Sequence, residues 1–357
     1  MKILHIIPTL GSGGAEKMLV DLVKEMRHQK VECEVAVLSK GDNFFGGGLE
    51  TLKVPVYYGP LEKVYAIKNI FFLQQLVKKH EYDVIHTHLF SPQLFMPIAL
   101  KFVKKKYRLI TTEHSTHNKR RDRRIFKPLD KWLYKQHYQI IAITADTKKN
   151  LVNYLPELST KVTVIENGID IQHYAEANSI ERKELLPTMT QDEKLVLMVA
   201  GMREQKDHET LIRASKLLPA DYRVVFVGAG ERFDEVKAYA KQYGRQTILF
   251  LGSRKDVPSI MKASDVFVLS SKWEGFGLVV VEAAAAGLPV ITSDVEGMND
   301  VVRNIGGQVF EPYNEVQLAE KIVNAVSAGD TNNNLANYTI QKTVQKYVEN
   351  YSNLLKG

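Results

Sequence analysis

A single cysteine, Cys33, stands among 357 residues, which excludes an intramolecular disulfide framework and a cysteine-rich zinc site. No run of about 18 or more apolar residues occurs, so no membrane-spanning helix is expected. There is no Asp-x-Asp, the usual carboxylate pair for Mg²⁺ or Mn²⁺ held against phosphates, and no histidine pair at zinc spacing. No metal site and no cofactor are expected. The apolar start, MKILHIIPTLGSGG, is about as long as one strand. It is broken by Pro8 and runs into glycines instead of a small-x-small cleavage site, so it does not read as a signal peptide. A cytosolic protein is expected. What remains, 45% hydrophobic and 25% charged, is the composition of an ordinary soluble globular chain of two or three domains.

The formal charge of +7 is unevenly placed. Residues 1–170 hold 27 Lys+Arg against 17 Asp+Glu, a balance of +10; the remainder holds 21 against 24, a balance of −3. Within the first half, residues 101–135 carry 13 basic and 3 acidic side chains, interleaved with Phe102, Tyr107, Ile125, Phe126, Trp132 and Leu133. Such a segment can bind an anionic membrane surface, serve as a solvated face, or bind nucleic acid. No helix-turn-helix, zinc-finger or aromatic stacking signature accompanies the charge, which argues against nucleic acid. Six engaged basic residues at about 1 kcal/mol each suffice for peripheral attachment to an anionic leaflet.

Apolar runs rich in Val, Ile and Leu alternate with segments of helical period. Strands are expected at 2–7, 33–38, 54–58, 83–88, 108–112 and 139–143, then at 195–200, 223–227, 247–251, 266–270 and 289–293. Helices are expected at about 15–26, 67–79, 209–218, 233–243, 257–262, 278–286 and 315–328. A last helix, about 340–355, follows the Asn-rich loop 331–334. Buried parallel strands with helical crossovers mean sheets covered on both faces. The chain therefore reads as two Rossmann-like, doubly wound α/β domains. The first covers 1–170 and the second 171–339, with the terminal helix 340–357 packing back on the first. Ligands of such sheets lie beyond the carboxyl ends of the strands, so the site is expected in a cleft across which the domains face.

The most informative stretch is 271–294, SKWEGFGLVVVEAAAAGLPVITSD. It follows a strand, turns through Glu274, Gly275, Phe276 and Gly277, and opens a helix that Gly287 and Pro289 end. The two glycines of the turn let the backbone approach a ligand closely. The amides of Gly277, Leu278 and Val279, at a helix start, suit a phosphate. Glu282, about a turn inside, is an acceptor fit for a vicinal diol such as ribose, and Glu274 one fit for sugar hydroxyls. A glutamate near a helix start is also stabilised with no ligand at all, by about 0.3–1 kcal/mol.

This stretch resembles the E-x7-E signature of retaining nucleotide-sugar glycosyltransferases of family 4, which have the GT-B fold. Further segments are similar to that family in order and spacing: GSGGAE at 11–16, DVIHTH at 83–88, TTEH at 111–114, VIENGID at 164–170, GMREQKDHETL at 201–211 and FLGSRKDVP at 250–258. The resemblance implies that Glu274 faces the donor sugar and Glu282 the ribose. It implies that Arg203 and Lys206 neutralise the departing diphosphate, the electrostatic catalysis such a transfer needs. Many family members place the arginine five residues before the lysine; here that position is Gly201, and the role passes to Arg203. His114 corresponds to the family histidine near the anomeric carbon, although a satisfied loop histidine is the alternative. Gly13 and Gly14 match the glycine loop that approaches the donor phosphate. Val257 and its neighbouring backbone would hold the base with Arg254 beside it, unless 253–257 is a plain βα loop. His86 and His88 share one strand face and read as packing residues.

The resemblance implies a metal-independent glycosyltransferase that retains anomeric configuration, a hexosyl- or N-acetylhexosaminyltransferase with a nucleotide-sugar donor, UDP-linked by family frequency. The donor is expected on the second domain. The acceptor, a glycan or lipid-linked glycan, is expected on the first, in surface polysaccharide or glycolipid synthesis. The basic segment 101–135 then suggests an acceptor at the cytoplasmic face of the membrane, with the protein cytoplasmic and peripheral attachment there the expectation if the segment is not a plain solvated face. The competing readings are a phosphorylase or an epimerase on the same fold, or a non-catalytic nucleotide-binding or membrane-associated scaffold. Acceptor-dependent release of free nucleotide separates the first from all of these.

Overall fold

A computed structural model of the chain describes residues 1–118, 120–190, 192–245, 247–329 and 333–356. Lys119 of the basic segment, residues 331 and 332 of the Asn-rich loop, and Gly357 of the terminal helical segment lie outside the described residues. The chain divides into two compact units, Met1–Gly168 together with Thr339–Gly357, and Ile169–Tyr338. The two junctions stand beside the expected ones at 170/171 and 339/340.

The first unit is built on a seven-stranded sheet. Its strands are β1 (Lys2–Ile7), β2 (Glu32–Val37), β3 (Val56–Tyr58), β4 (Val84–His88), β5 (Arg108–Glu113), β6 (Gln139–Ala142) and β7 (Val162–Val164). Their order is β3-β2-β1-β4-β5-β6-β7, and every pairing is parallel. Strands β1 and β4 are buried almost throughout, as a sheet covered on both faces requires. Helices Gly14–His28 and Lys68–Lys79 each bury one apolar stripe, the former through Met18, Leu19, Leu22, Val23 and Met26. Helix Phe90–Leu100 is apolar nearly all round and is mostly buried.

The terminal helix Ile340–Lys356 returns to this unit. It buries Val344, Tyr347 and Tyr351 and is pinned by paired amides, Asn350 Nδ2 to Gln139 Oε1 at 2.6 Å and Gln139 Nε2 to Asn350 Oδ1 at 3.0 Å.

The second unit carries a six-stranded parallel sheet: β8 (Lys194–Val199), β9 (Tyr222–Val227), β10 (Leu249–Phe250), β11 (Val266–Leu269), β12 (Val290–Ser293) and β13 (Gln308–Phe310). Its order is β10-β9-β8-β11-β12-β13. In both sheets the winding reverses beside the first strand, between β1 and β4 and between β8 and β11. A reversal splays apart the loops that leave the two adjoining strands and opens a crevice between them. The loops that leave β8 and β11 are those carrying Lys206 and Glu274. Among the described residues, no helix is long and apolar enough to cross a membrane.

Candidate active site

In the second unit, the chain leaving β8 makes one 3-10 turn, Glu204–Lys206, and then passes through Asp207 in the left-handed region at φ 45°. A non-glycine residue there costs roughly 1–3 kcal/mol and persists only where its surroundings hold it. Those surroundings are visible. Thr210 Oγ1 donates to Asp207 Oδ2 at 2.6 Å, and Ser270 Oγ donates to the Asp207 carbonyl at 2.7 Å. Burial raises the Asp207 carboxyl above its ordinary pKa.

Two further bonds lace this loop to the one that leaves β11. The Lys272 amide donates to the Gln205 carbonyl at 2.7 Å, and Gln205 Nε2 donates to the Trp273 carbonyl at 2.8 Å. The lacing brings Lys206 Nζ to 2.5 Å from Glu274 Oε1, on which the Ser271 hydroxyl also converges at 2.6 Å. Glu274 is buried, and the Lys206 side chain keeps 19% of its surface in reach of solvent.

Three residues past Glu274, Gly277 caps the helix Leu278–Ala285 with φ 77° and ψ 52°. A side chain there would be strained, and its Cβ would lie 3.1 Å from Met298 Sδ. The amides of Gly277, Leu278 and Val279 find no acceptor among the described residues, as expected of a helix start. Gly275 and Phe276 are buried in the turn. The Phe276 ring packs edge-on against Tyr338, centroids 5.7 Å apart, so only its main chain is left for a ligand. Glu282 is buried on the same helix.

Arg203 is exposed at the start of the 3-10 turn and forms no ion pair among the described residues. Arg254 is held by Asp256, Nε to Oδ1 at 2.8 Å and Nη2 to Oδ2 at 2.5 Å, just before Val257 opens the helix Val257–Ala263.

In the first unit, Gly13 caps and Gly14 begins the helix that follows β1. The Glu16 carboxylate folds back over this terminus, 2.2 Å from where a Cβ on Gly13 would stand. An anion arriving here has to displace a charge of its own sign. His114 lies two residues past Thr112 and lines a pocket of about 150 Å³ with Leu89, Gln93, Glu113, Asn118 and Arg120. Leu89 walls the pocket from a left-handed conformation, φ 64°.

Behind His114 the fold brings His5 beside His86 and His88, to which no sequence motif links it. Register sets His5 on β1 opposite His86 on β4, and His88 shares that face two residues on. The three rings are close enough for one nitrogen of each to share an ion. Their nitrogens are nevertheless largely committed to hydrogen bonds: His86 to Tyr351 at 2.6 Å and Thr112 at 2.7 Å, and His88 to His5 and His114 at 3.1 Å each. Burial lowers His5 to about 3 and His114 to about 4, and holds His86 and His88 well below 6.5, so all four rings are neutral at pH 7.

The basic segment is not a uniform surface. Arg120 Nε lies 2.8 Å from the buried Asp130 and stacks on Phe90, while Arg121 is buried against Glu113 at 2.7 Å. Lys131 pairs with Glu157 at 2.7 Å. Arg123, Arg124 and Lys127 are exposed beside Ile125 and Leu129, and Phe102 is exposed in the same segment.

Two parallel sheets, each with its winding reversed beside its first strand and each flanked by helices, are the two Rossmann-like domains of a GT-B architecture. The description Glycosyltransferase Family 4 matches residues 12–173, and Glycosyl transferases group 1 matches residues 182–342. The chain belongs to glycosyltransferase family 4 and is a glycosyltransferase.

It is 26% identical to the UDP-Gal:alpha-D-GlcNAc-diphosphoundecaprenol alpha-1,3-galactosyltransferase of Escherichia coli, over 99% of this chain and 97% of the relative. It is 27% identical to the N,N'-diacetylbacillosaminyl-diphospho-undecaprenol alpha-1,3-N-acetylgalactosaminyltransferase of Campylobacter jejuni, over 86% and 87%. Among solved structures, Anabaena HepE in complex with UDP-glucose superposes with a TM-score of 0.84 at 22% identity, covering 99% of this chain and 100% of that one.

Proposed function

We propose that the protein transfers a hexose or N-acetylhexosamine from a UDP-sugar to a hydroxyl of a lipid-linked glycan, in the assembly of a surface polysaccharide or glycolipid. The observation that carries this reading is the Lys206–Glu274 pair at 2.5 Å, set beside the open amides of Gly277, Leu278 and Val279. A cation, a sugar-binding carboxylate and a phosphate cradle then lie on adjoining loops. The two undecaprenol-linked acceptors named in the relatives support the lipid-linked acceptor, and the relative with a UDP-Gal donor supports the nucleotide.

In this reading Glu274 accepts from hydroxyls of the donor sugar and Glu282 from the ribose. Arg254 and Val257 flank the base, and His114 donates to an oxygen of the transferred sugar. Gly13 and Gly14 meet the diphosphate only once Glu16 has moved aside. Lys206 and Arg203 take up the negative charge that grows on the β-phosphate as the anomeric C–O bond breaks. The acceptor oxygen forms its bond to the anomeric carbon on the face the phosphate leaves, which retains configuration. Its proton passes to the departing phosphate, so no carboxylate has to act as base. Cations and helix amides stabilise the leaving group, the part a divalent ion would otherwise play.

Peripheral attachment at the inner face of the cell membrane completes the proposal. Arg123, Arg124 and Lys127, around the exposed Ile125 and Leu129, would face an anionic leaflet. The test is incubation of the purified chain with UDP-sugars and an undecaprenyl diphosphate-linked sugar, with and without EDTA. Acceptor-dependent UDP release that survives chelation, with an axial anomeric linkage from an axial donor, is expected. UDP release without acceptor, or turnover abolished by EDTA, overturns the reading.

A further inference from the structure

The buried histidines of the first unit form a line that ends at the His114 pocket. His5 Nδ1 lies 3.1 Å from His88 Nε2, and His88 Nδ1 lies 3.1 Å from His114 Nε2. His86, alongside, is taken up by Tyr351 and Thr112. At the inner end, His5 Nε2 is buried with no hydrogen-bond partner. At the outer end, His114 keeps Nδ1 as its remaining ring nitrogen, on a residue that lines the pocket.

A neutral imidazole has one N–H and one bare nitrogen. Three such rings joined by two hydrogen bonds have only two self-consistent settings. In the first, His5 donates to His88 and His88 donates to His114, leaving a bare lone pair on His5 Nε2 and an N–H on His114 Nδ1. In the second every donor reverses, which strands an N–H at His5 Nε2 and leaves His114 Nδ1 bare. A buried N–H without an acceptor is the rarer and costlier orphan, whereas an acceptor left open is better tolerated. The first setting prevails.

We propose that His5 and His88 are positioning residues that fix His114 as its Nδ1–H tautomer, so that the pocket presents a hydrogen-bond donor to an oxygen of the transferred sugar. The proposal rests on the reading of His114 given above. No proton is gained or lost along the line; what it sets is which nitrogen of His114 carries one. The register of β1 on β4 and of β4 on β5 holds the rings in file, and Leu89 turns the chain away directly after His88.

Long-range ¹H–¹⁵N correlation spectra of the full chain, labelled in the histidine rings, read each tautomer directly. The His114 signals are assigned by their loss in His114→Ala. Wild type is expected to show His114 as Nδ1–H. His5→Met replaces the donor to His88 Nε2 by a thioether, which can only accept. It should move His114 toward the Nε2–H form and lower kcat about tenfold, the worth of one hydrogen bond, with the donor KM changed less than twofold. His5→Gln, whose amide strands fewer N–H groups by donating to His88 than by accepting from it, should keep both the tautomer and kcat of wild type.

An Nε2–H tautomer in wild type overturns the proposal, and that spectrum decides the matter even where His5→Met fails to fold. An unmoved tautomer in folded His5→Met also overturns it, as does one equivalent of zinc on the rings by metal analysis. Full turnover by His114→Ala, with the tautomer results intact, leaves the line of histidines standing and removes the assignment of His114 to the sugar.

Discussion

Replacing Lys206 by methionine keeps most of the side chain's length and removes its charge, which separates two roles that the lysine holds at once. In the folded protein its ammonium is the cation for Glu274, whose side chain is only 7% exposed. Removing one partner of a fully buried pair costs about 3–5 kcal/mol. The Lys206 side chain keeps 19% exposure, so water compensates in part and about 2–3 kcal/mol is expected. Glu274→Gln leaves the ammonium near solvent and should cost less.

The double variant has no stranded carboxylate, so its stability should exceed the sum of the two single losses by about 1.5–3 kcal/mol. Turnover should behave in the opposite way. A charge-assisted bond to the leaving phosphate is worth about 1.5–3 kcal/mol, so Lys206→Met should lower kcat roughly 10- to 150-fold. The double variant should not recover it. Urea denaturation gives the first quantity and steady-state UDP release the second. Stability losses that add to within about 0.5 kcal/mol, or a double variant that regains turnover, would refute the argument.

Gly277→Ala should cost about 1–2 kcal/mol, because the residue sits at φ 77°; it should also weaken UDP binding in calorimetry, and unchanged melting with unchanged affinity would contradict the phosphate cradle. Changing Arg123, Arg124 and Lys127 together to Gln removes three exposed charges, so partition onto anionic liposomes should fall by about 3 kcal/mol, roughly 150-fold, with turnover on a soluble acceptor intact. Undiminished sedimentation would end the membrane assignment.

Acid should unfold the protein early. Unfolded histidines take up protons near pH 6.5, whereas burial holds His114 and His137 to about 4 and His5 to about 3. The unfolded state therefore binds more protons in this window. Stability is full above pH 6.5 and falls below it by about 1.4 kcal/mol per pH unit for each ring. A urea midpoint unchanged between pH 7 and pH 5 would refute this.

The long strands were legible because a strand buried on both faces reads as a nearly unbroken apolar run; β1 and the helices Phe233–Tyr243 and Glu315–Ala328 fall where the pattern puts them. Strands β7 and β13, of three residues each with one buried position apiece, escape the pattern. Helix Phe90–Leu100 hides for a different reason. It is apolar on nearly every side and contains Pro92 and Pro97, so neither the 3.6 period nor propensity marks it.

Within the site, the glutamates and glycines of 274–282 lie in one local segment and announce themselves. The Lys206–Glu274 contact does not, because 68 residues separate the partners and only the β8–β11 adjacency joins them. The histidine line is invisible for the same reason: β1 pairs with β4 across two intervening strands. Net charge misleads in its own way. The sequence counts Arg120 and Arg121 with the basic surface, yet both are spent on internal carboxylates.

The return of Ile340–Lys356 to the first unit imposes an order on synthesis. Tyr351, which closes over His86 at 2.6 Å, emerges 265 residues after it. At about 5–20 residues per second, a ribosome takes roughly 15–50 s to supply that partner, and the whole second unit is made meanwhile. The nascent first unit must wait with His86 uncapped, so the unit that begins first is the last to be finished.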